Sequence, residues 1–298
     1  MADMPCDTLL AIDIGGTKIL GALVDGRTVY DSVQIATPGS GDPRVWIEEL
    51  LEKGMAWQGC FGRVGAAVTG IVQAGKWSAL NPKTLTIPPD YPLVETLSEL
   101  TGKPALAAND AQAAAWGEYL FGAGKGTQAC VFLTLSTGIG GGVIVNGRLL
   151  EGMAGHFGQF RGDVADDTPL ESGATGRWMA EAAREAGYDL DARGVFEAAG
   201  KGAAWADAII ALSAKRIATL CANIQLGLAP QKIIIGGSIG LAPGFIERMG
   251  RLLEDLPPLQ RPTLVPARLG GQAGIVGIAD LAASAGKRTI NQREDGYE

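Results

Sequence analysis

The chain has 298 residues, 47% hydrophobic and 19% charged, which is enough for two domains of about 150 residues each. Its net charge of -7 at pH 7 repels phosphate backbones and anionic lipid, which argues against nucleic acid or a membrane as a partner. The four cysteines form no CxxC pair and His156 is the only histidine, a usage that fits the reducing cytoplasm better than a disulfide framework or a Cys/His zinc site.

In chain order, Thr8–Ile14 reads as a buried strand, Gly15-Gly16 as a turn and Ile19–Val24 as a second strand. Asp25-Gly26 is a hairpin signal, with a third strand over Val29–Ile35. Residues 44–58 look helical; Arg63–Thr69 is a strand that Ile71–Trp77 continues past Gly70. A short helix over Pro92–Leu100 and a strand over Pro104–Ala108 lead to Asn109-Asp110 and a helix over Ala111–Phe121.

The pattern then starts again. Ala129–Leu135 is a strand, Ser136–Gly142 a glycine turn, Val143–Val145 a strand and Asn146-Gly147 a hairpin signal. With Asp13 placed on Thr134, Asp25-Gly26-Arg27 falls on Asn146-Gly147-Arg148, which reads as an internal duplication. The remainder is mainly helical, over Thr175–Ala186, Arg193–Ala199, Ala203–Leu228 and Gln272–Ala285, with a strand over Lys232–Ile235 that ends in Gly236-Gly237. The expected class is α/β: two related lobes with a ligand cleft between them.

Several short segments carry chemistry. In Asp13-Ile14-Gly15-Gly16-Thr17-Lys18 the glycines let backbone N–H groups approach phosphate oxygens, Thr17 adds a hydroxyl and Lys18 a charge. Asp13 could hold Mg²⁺ through water. Ser136-Thr137-Gly138-Ile139-Gly140-Gly141-Gly142 is a second anion cradle at the equivalent place of the repeat, and small Gly236-Gly237-Ser238 suits a flat base or ribose as well as close helix packing. Asp110 opens a helix, where it reads as an N-cap and equally as a base placed where its charged form is stabilised, two compatible roles. Gly152–Gln159 with Glu171 sets His156 and other polar side chains among glycines, as a small polyhydroxylated ligand requires.

DIGGTK, NDAQAAAWGE, STGIGGG, the GxxGxxxG segment and IIIGGSIG stand here in the order of the ROK family of sugar kinases and repressors, over Thr8 to about Ala285. This resemblance implies the duplicated actin-like, hexokinase-type (ribonuclease H-like) fold, with ATP and sugar between a small lobe of 1–108 plus 276–298 and a large lobe of 109–275. Only seven residues precede the first predicted strand, so the chain looks like the kinase branch rather than the winged-helix repressors. Within the family, ALNPKTL (79–85), the 91–118 segment, AGHFG (154–158) and GGSIGLAPGF (236–245) are most similar to bacterial N-acetylmannosamine kinases, and His156 stands where many hexose-specific members have Glu.

By the same resemblance, Asp110 is the base toward the sugar 6-hydroxyl, and Asn109, His156, Gln159 and Glu171 bind the sugar with Gly70 and Asn81 nearby. Asp13, Gly15, Gly16, Thr17, Lys18, Thr137, Gly138, Gly236 and Gly237 would hold MgATP, and a homodimer is the family habit. Many members carry a zinc site at a His and a CxCGxxGC cluster. Here Gln159 takes the His position and residues 161–173 contain no cysteine, which implies a zinc-free variant whose Glu171 and Gln159 are fixed by hydrogen bonds. A glucokinase or fructokinase of the same family is the alternative enzyme, and a non-catalytic sugar sensor the alternative class.

Overall fold

The computed structural model describes residues 8–80, 85–161 and 168–294, with side chains described as far as residue 285. The chain divides into two compact units. The first runs to Phe121 and takes in Glu151–Met153 and the stretch from Gly271; the second is Gly122–Leu150 with Ala154–Gly270.

In the first unit, β1 (Leu9–Ile14), β2 (Lys18–Asp25) and β3 (Thr28–Ala36) are followed by α1 (Pro43–Lys53), β4 (Arg63–Val68), β5 (Ile71–Gln73) and β6 (Lys76–Ser78). Then come α2 (Leu93–Thr101), β7 (Ala105–Asn109) and α3 (Asp110–Phe121). The sheet order is β3-β2-β1-β4-β7, with β1, β4 and β7 parallel and β2 and β3 antiparallel. Leu10, Ile12 and Ile14 of β1 share a buried cluster with Trp46, Ile47 and Leu50 of α1 and Leu93 and Leu97 of α2. A parallel strand is covered on both faces, which is why β1 reads as a continuous apolar run broken only by Asp13.

The second unit repeats this plan with β8 (Ala129–Leu135), β9 (Ile139–Val145) and β10 (Arg148–Leu149), then α4 (Glu171–Ala174), α5 (Gly176–Glu185), α6 (Ala192–Gly200) and α7 (Ala204–Leu228). It closes with β11 (Lys232–Gly236), α8 (Gly237–Gly240), α9 (Phe245–Leu252) and β12 (Leu264–Pro266). Its sheet, β10-β9-β8-β11-β12, has the same order and the same strand directions as the first. By length and composition α7 is apolar enough to cross a membrane. It is instead a core helix here: Ile210, Ile217, Leu220, Cys221 and Ile224 lie in the buried cluster of this unit.

The duplication has one offset. Ile14 pairs with Ile19 across Gly15–Lys18, whereas Leu135 pairs with Ile139 across Ser136–Gly138, a turn one residue shorter. The next hairpin therefore turns on Gly26-Arg27 in the first copy and on Asn146-Gly147 in the second. The likeness of Asp25-Gly26-Arg27 to Asn146-Gly147-Arg148 is thus one residue out of structural register. The expected extension of β4 through Ile71–Trp77 is also corrected. Ala74 and Gly75 both adopt positive φ, 49° and 77°, and fold this stretch into the separate β5–β6 hairpin.

The last helix, α10 (Ala273–Glu294), returns to the first unit and lies on β1, β4 and α3. Glycines let it come close. A Cβ on Gly65 of β4 would stand 2.6 Å from the Ile278 carbonyl, and a Cβ on Gly117 or Gly277 would overlap the carbonyl of Ala273 or Ala113. The Trp116 indole N–H donates to Asp280 Oδ1 at 2.8 Å across the same contact. This packing places α3 and α10 together in the first unit.

A methyl group at position 277 has nowhere to go but into a backbone carbonyl. Gly277→Ala is expected to destabilise the protein by about 1–3 kcal/mol. Urea unfolding would show this as a lower midpoint at an unchanged m value, and an unaltered midpoint would contradict the packing.

Candidate active site

The expected site residues fall into two groups, one on each unit. In the first unit they sit at the C-terminal ends of the parallel strands. Asp13 lies near the end of β1, and Asn109 ends β7 with Asp110 immediately following. The Asn109 side chain is 6% exposed and fully engaged. Its Oδ1 accepts from the N–H groups of Ala111, at 3.0 Å, and Gln112, at 3.1 Å, while its Nδ2 donates to the Gly70 carbonyl at 2.8 Å. This is N-cap chemistry, satisfying N–H groups that have no partner within the helix. The cap of α3 is therefore Asn109, one residue before the Asp110 that the sequence offered for the role.

Asp110 Oδ1 accepts the adjacent Ala111 N–H at 2.7 Å, the same N–H that Asn109 caps, and the Asn109 side chain also hydrogen-bonds to the carboxylate. Burial, and after it the nearby charge of Asp13, push its carboxyl up to about 6. Burial also raises Asp13, against the pull of Lys18. The first turn of α10 stands beside both: a Cβ on Gly274 would lie 3.9 Å from the Asp110 carbonyl oxygen and 3.9 Å from Asp13 Oδ2. Two carboxylates thus share a partly desolvated corner, a setting that separates the behaviour of acids and bases.

The Gly15–Lys18 turn is held from inside. Gly15 N–H donates to the Lys18 carbonyl at 3.0 Å, and neither Gly15 nor Gly16 has a positive φ. Their value here is the missing side chain rather than an unusual backbone. Thr37 binds the turn twice, through Oγ1 to the Gly15 carbonyl at 2.7 Å and through N–H to the Thr17 carbonyl at 3.1 Å. Among the described residues, the Gly16 and Thr17 N–H groups have no backbone or side-chain acceptor, as an anion-binding turn requires. Gly70 has φ 112° and its Cβ position is filled by the Ser78 carbonyl, so its glycine is set by the β5–β6 hairpin. Asn81 lies outside the described residues.

In the second unit, Thr137 and Gly138 form the turn between β8 and β9, closed by Ser136 N–H to the Gly138 carbonyl at 3.0 Å. The Gly176 N–H holds the Ser136 carbonyl at 2.8 Å. Glu171 comes up beside this turn: its Oε2 is 3.5 Å from a Cβ position on Gly138 and 3.0 Å from one on Gly158. Gln159 Nε2 donates to Glu171 Oε1 at 3.0 Å. His156 is in the same neighbourhood. Burial lowers its pKa, with Glu171 opposing, so the ring is neutral at pH 7. Its Nε2 is buried and has no hydrogen-bond partner among the described residues, and a buried ring nitrogen calls for one.

Gly236 and Gly237 are consumed by packing. A Cβ on Gly236 would strike the Phe132 ring at 2.9 Å, and Gly237, at φ 82°, would strike the Leu135 backbone. The following residues nevertheless open a cavity of about 820 Å³, lined by Ser238, Leu241 and Ala242 with Phe196 of α6 and Arg248 of α9. An apolar pocket with charged residues at its rim and a glycine turn at its end suits a nucleoside.

The sequence named most of these residues. It did not name Thr37, whose only mark is that it precedes Pro38, nor the tie between Gln112 Nε2 and the Gly152 carbonyl, 3.0 Å long, which draws Glu151–Met153 onto α3.

The chain is similar to known proteins over most of its length. The bifunctional enzyme NanE/NanK of Brucella melitensis is 45% identical over 288 residues, covering 95% of this chain and 55% of its own length. The chain therefore spans about half of that relative. The N-acetylmannosamine kinase of Salmonella arizonae is 40% identical over 92% of this chain and 98% of its own. The crystal structure of a ROK family glucokinase from Streptomyces griseus, in complex with glucose and AMPPNP, superposes with a TM-score of 0.73 at 28% identity, over 93% of this chain and 99% of that one. The two like sheets are those of the actin-like, hexokinase-type fold of the ROK sugar kinases. Residues 9–285 match the ROK family, and the chain belongs to it.

Proposed function

We propose that the chain is an ATP-dependent kinase that phosphorylates the 6-hydroxyl of an amino sugar, N-acetylmannosamine, with Asp110 as the general base. The observation that carries this reading is the division of labour at the start of α3. Asn109 caps Ala111 and Gln112, and the Asp110 carboxylate, which shares only the first of those N–H groups, lies beside Asp13. The names of the Brucella and Salmonella relatives support the acceptor, and the nucleotide analogue bound to the Streptomyces glucokinase supports ATP.

In the proposed reaction the Asp110 carboxylate accepts the proton of the sugar hydroxyl as its oxygen bonds to the γ-phosphorus and ADP leaves. A carboxyl near 6 is a stronger base than an ordinary one and is still ionised at pH 7. Gly16, Thr17 and Lys18 would receive phosphate oxygens, as would Thr137 and Gly138, and the cavity at Ser238 would take the base and ribose. Asp13 would hold Mg²⁺ through water, and the ion, when bound, offsets phosphate charge. His156 Nε2, Gln159 and Glu171 would meet the sugar hydroxyls. Asn109 and Gly70 serve chiefly by fixing the start of α3, since their polar atoms are already bonded to each other. His156, where hexose-specific members have Glu, favours the amino sugar over the glucokinase alternative.

Asp110→Asn is expected to keep its helix, because Asn109 still caps it, and to lose about 10²–10⁴ in kcat. Near-normal turnover in a coupled ADP assay would remove Asp110 from the role of base.

Stability should move the opposite way. Asp110 holds its proton to about pH 6 in the folded chain, against an ordinary value of 3.8. The stability from that difference is complete below about pH 4 and is lost as the pH rises through 6. In metal-free buffer at pH 8, Asp110→Asn is therefore expected to exceed the wild type by about 1–3 kcal/mol, and by nothing near pH 4. A urea titration at the two pH values decides; equal stabilities at pH 8 would mean that the carboxylate is not strained.

For the acceptor, a panel of N-acetylmannosamine, N-acetylglucosamine, glucose and fructose should give the highest kcat/KM with N-acetylmannosamine. A preference for glucose or fructose would select the alternative enzyme. Sugar binding without ADP release would select a sensor.

A further inference from the structure

We propose that Thr37 is a positioning residue for the nucleotide phosphates, whose hydroxyl sets the direction of the N–H groups in the Gly15–Lys18 turn. The inference rests on the kinase reading, since it assigns the turn a phosphate to bind. Gly15 and Gly16 have no side chains, and glycine is the residue with most backbone freedom to lose on being fixed. The internal bond from Gly15 N–H to the Lys18 carbonyl closes the turn but does not hold the peptide plane between Gly15 and Gly16. Yet an anion site works only if its N–H groups already point at the ligand before it arrives.

Thr37 supplies the missing restraint from outside the motif. Its Oγ1 donates to the Gly15 carbonyl at 2.7 Å, and its N–H donates to the Thr17 carbonyl at 3.1 Å. With the Gly15 carbonyl held, the peptide that joins Gly15 to Gly16 cannot rotate, and its N–H, on Gly16, keeps the opposite direction. The Thr17 carbonyl fixes the far side of the turn in the same way. Thr37 is itself rigid. It precedes Pro38, which confines it to extended backbone. Just beyond, Thr86 N–H donates to the Gly39 carbonyl at 2.9 Å and Gly41 N–H to the Thr86 carbonyl at 3.2 Å.

The second copy of the fold makes the comparison. There the Ser136 carbonyl is held by the N–H of Gly176, at the start of α5. The Ser136 carbonyl is held by a backbone donor and the Gly15 carbonyl by a side-chain hydroxyl, so only the Gly15 carbonyl can be released by a substitution that leaves the chain path intact.

The test is direct binding of MgADP and of adenosine, by calorimetry, to the full-length wild type, Thr37→Val and Thr37→Ser, with melting temperatures alongside. Thr37→Val keeps the shape and the N–H bond but loses the hydroxyl. It is expected to weaken MgADP about five- to tenfold, the loss of roughly one hydrogen bond, and to leave adenosine unchanged, because adenosine has no phosphates. Thr37→Ser is expected to bind both as the wild type does. Equal weakening of MgADP and adenosine, unaltered MgADP binding by Thr37→Val, or a serine variant as weak as the valine would each overturn the inference. So would a valine variant that does not fold, since the hydroxyl would then serve the fold rather than the cradle. A wild type that binds no MgADP would instead overturn the kinase reading.

Discussion

The amide of Asn109 meets both needs of the strand-to-helix junction at once. Its oxygen takes the first N–H groups of α3, and its nitrogen ties the junction to Gly70 at the end of the neighbouring strand β4. A helix start left without such a partner costs about 1 kcal/mol and frays. Because one side chain does all of this, the next residue is spared. Asp110 keeps a carboxylate that is neither a cap nor half of an ion pair, in a corner dry enough to hold its proton to about pH 6. Asp13 at the end of β1 lies near that carboxylate, and the first turn of α10 stands beside the Asp110 backbone and the Asp13 side chain.

The two copies of the fold have diverged most where they are most alike in shape. Both carry a glycine turn between the first two strands of a five-stranded sheet. One residue of difference in the length of that turn separates their chemistry. The longer turn is flanked by Asp13 and Lys18 and is braced by a hydroxyl. The shorter one is flanked by Thr134 and Thr137, is braced by a peptide N–H, and has Glu171 alongside. Charge is concentrated in one copy, and in the other it is delivered by a separate loop. Gln159 and Glu171 of that loop hold each other directly.

Most of the sheet framework was legible because parallel strands covered on both faces read as nearly continuous apolar runs. The places that were not legible share a physical cause. Ala74 adopts a left-handed backbone that alanine rarely takes, so Gly75 alone marked the turn of the β5–β6 hairpin. β12 is three residues long and ends in Pro266, a composition that reads as loop and is tolerated because the strand lies at the sheet edge. The candidate site was legible as residue types but not as roles. Asn109 and Asp110 are interchangeable as caps on paper, and only the hydrogen bonds of the folded chain assign the cap to one and leave the other free. Thr37 escaped notice because a threonine before a proline at a strand end is unremarkable without the carbonyls it reaches.

The return of α10 to the first unit has a consequence for the order of events during synthesis. The second unit is one stretch of chain apart from the excursion at Glu151–Met153. The first is in pieces, and α10, which lies on β1, β4 and α3, follows the entire second unit in sequence. The face of the sheet that carries Asp13 therefore leaves the ribosome early and stays uncovered until more than half of the chain has followed it. Domains generally fold as units as they emerge, so the half made first is the half finished last. Small residues such as Gly65, which later admit α10, keep that waiting face poor in large apolar side chains.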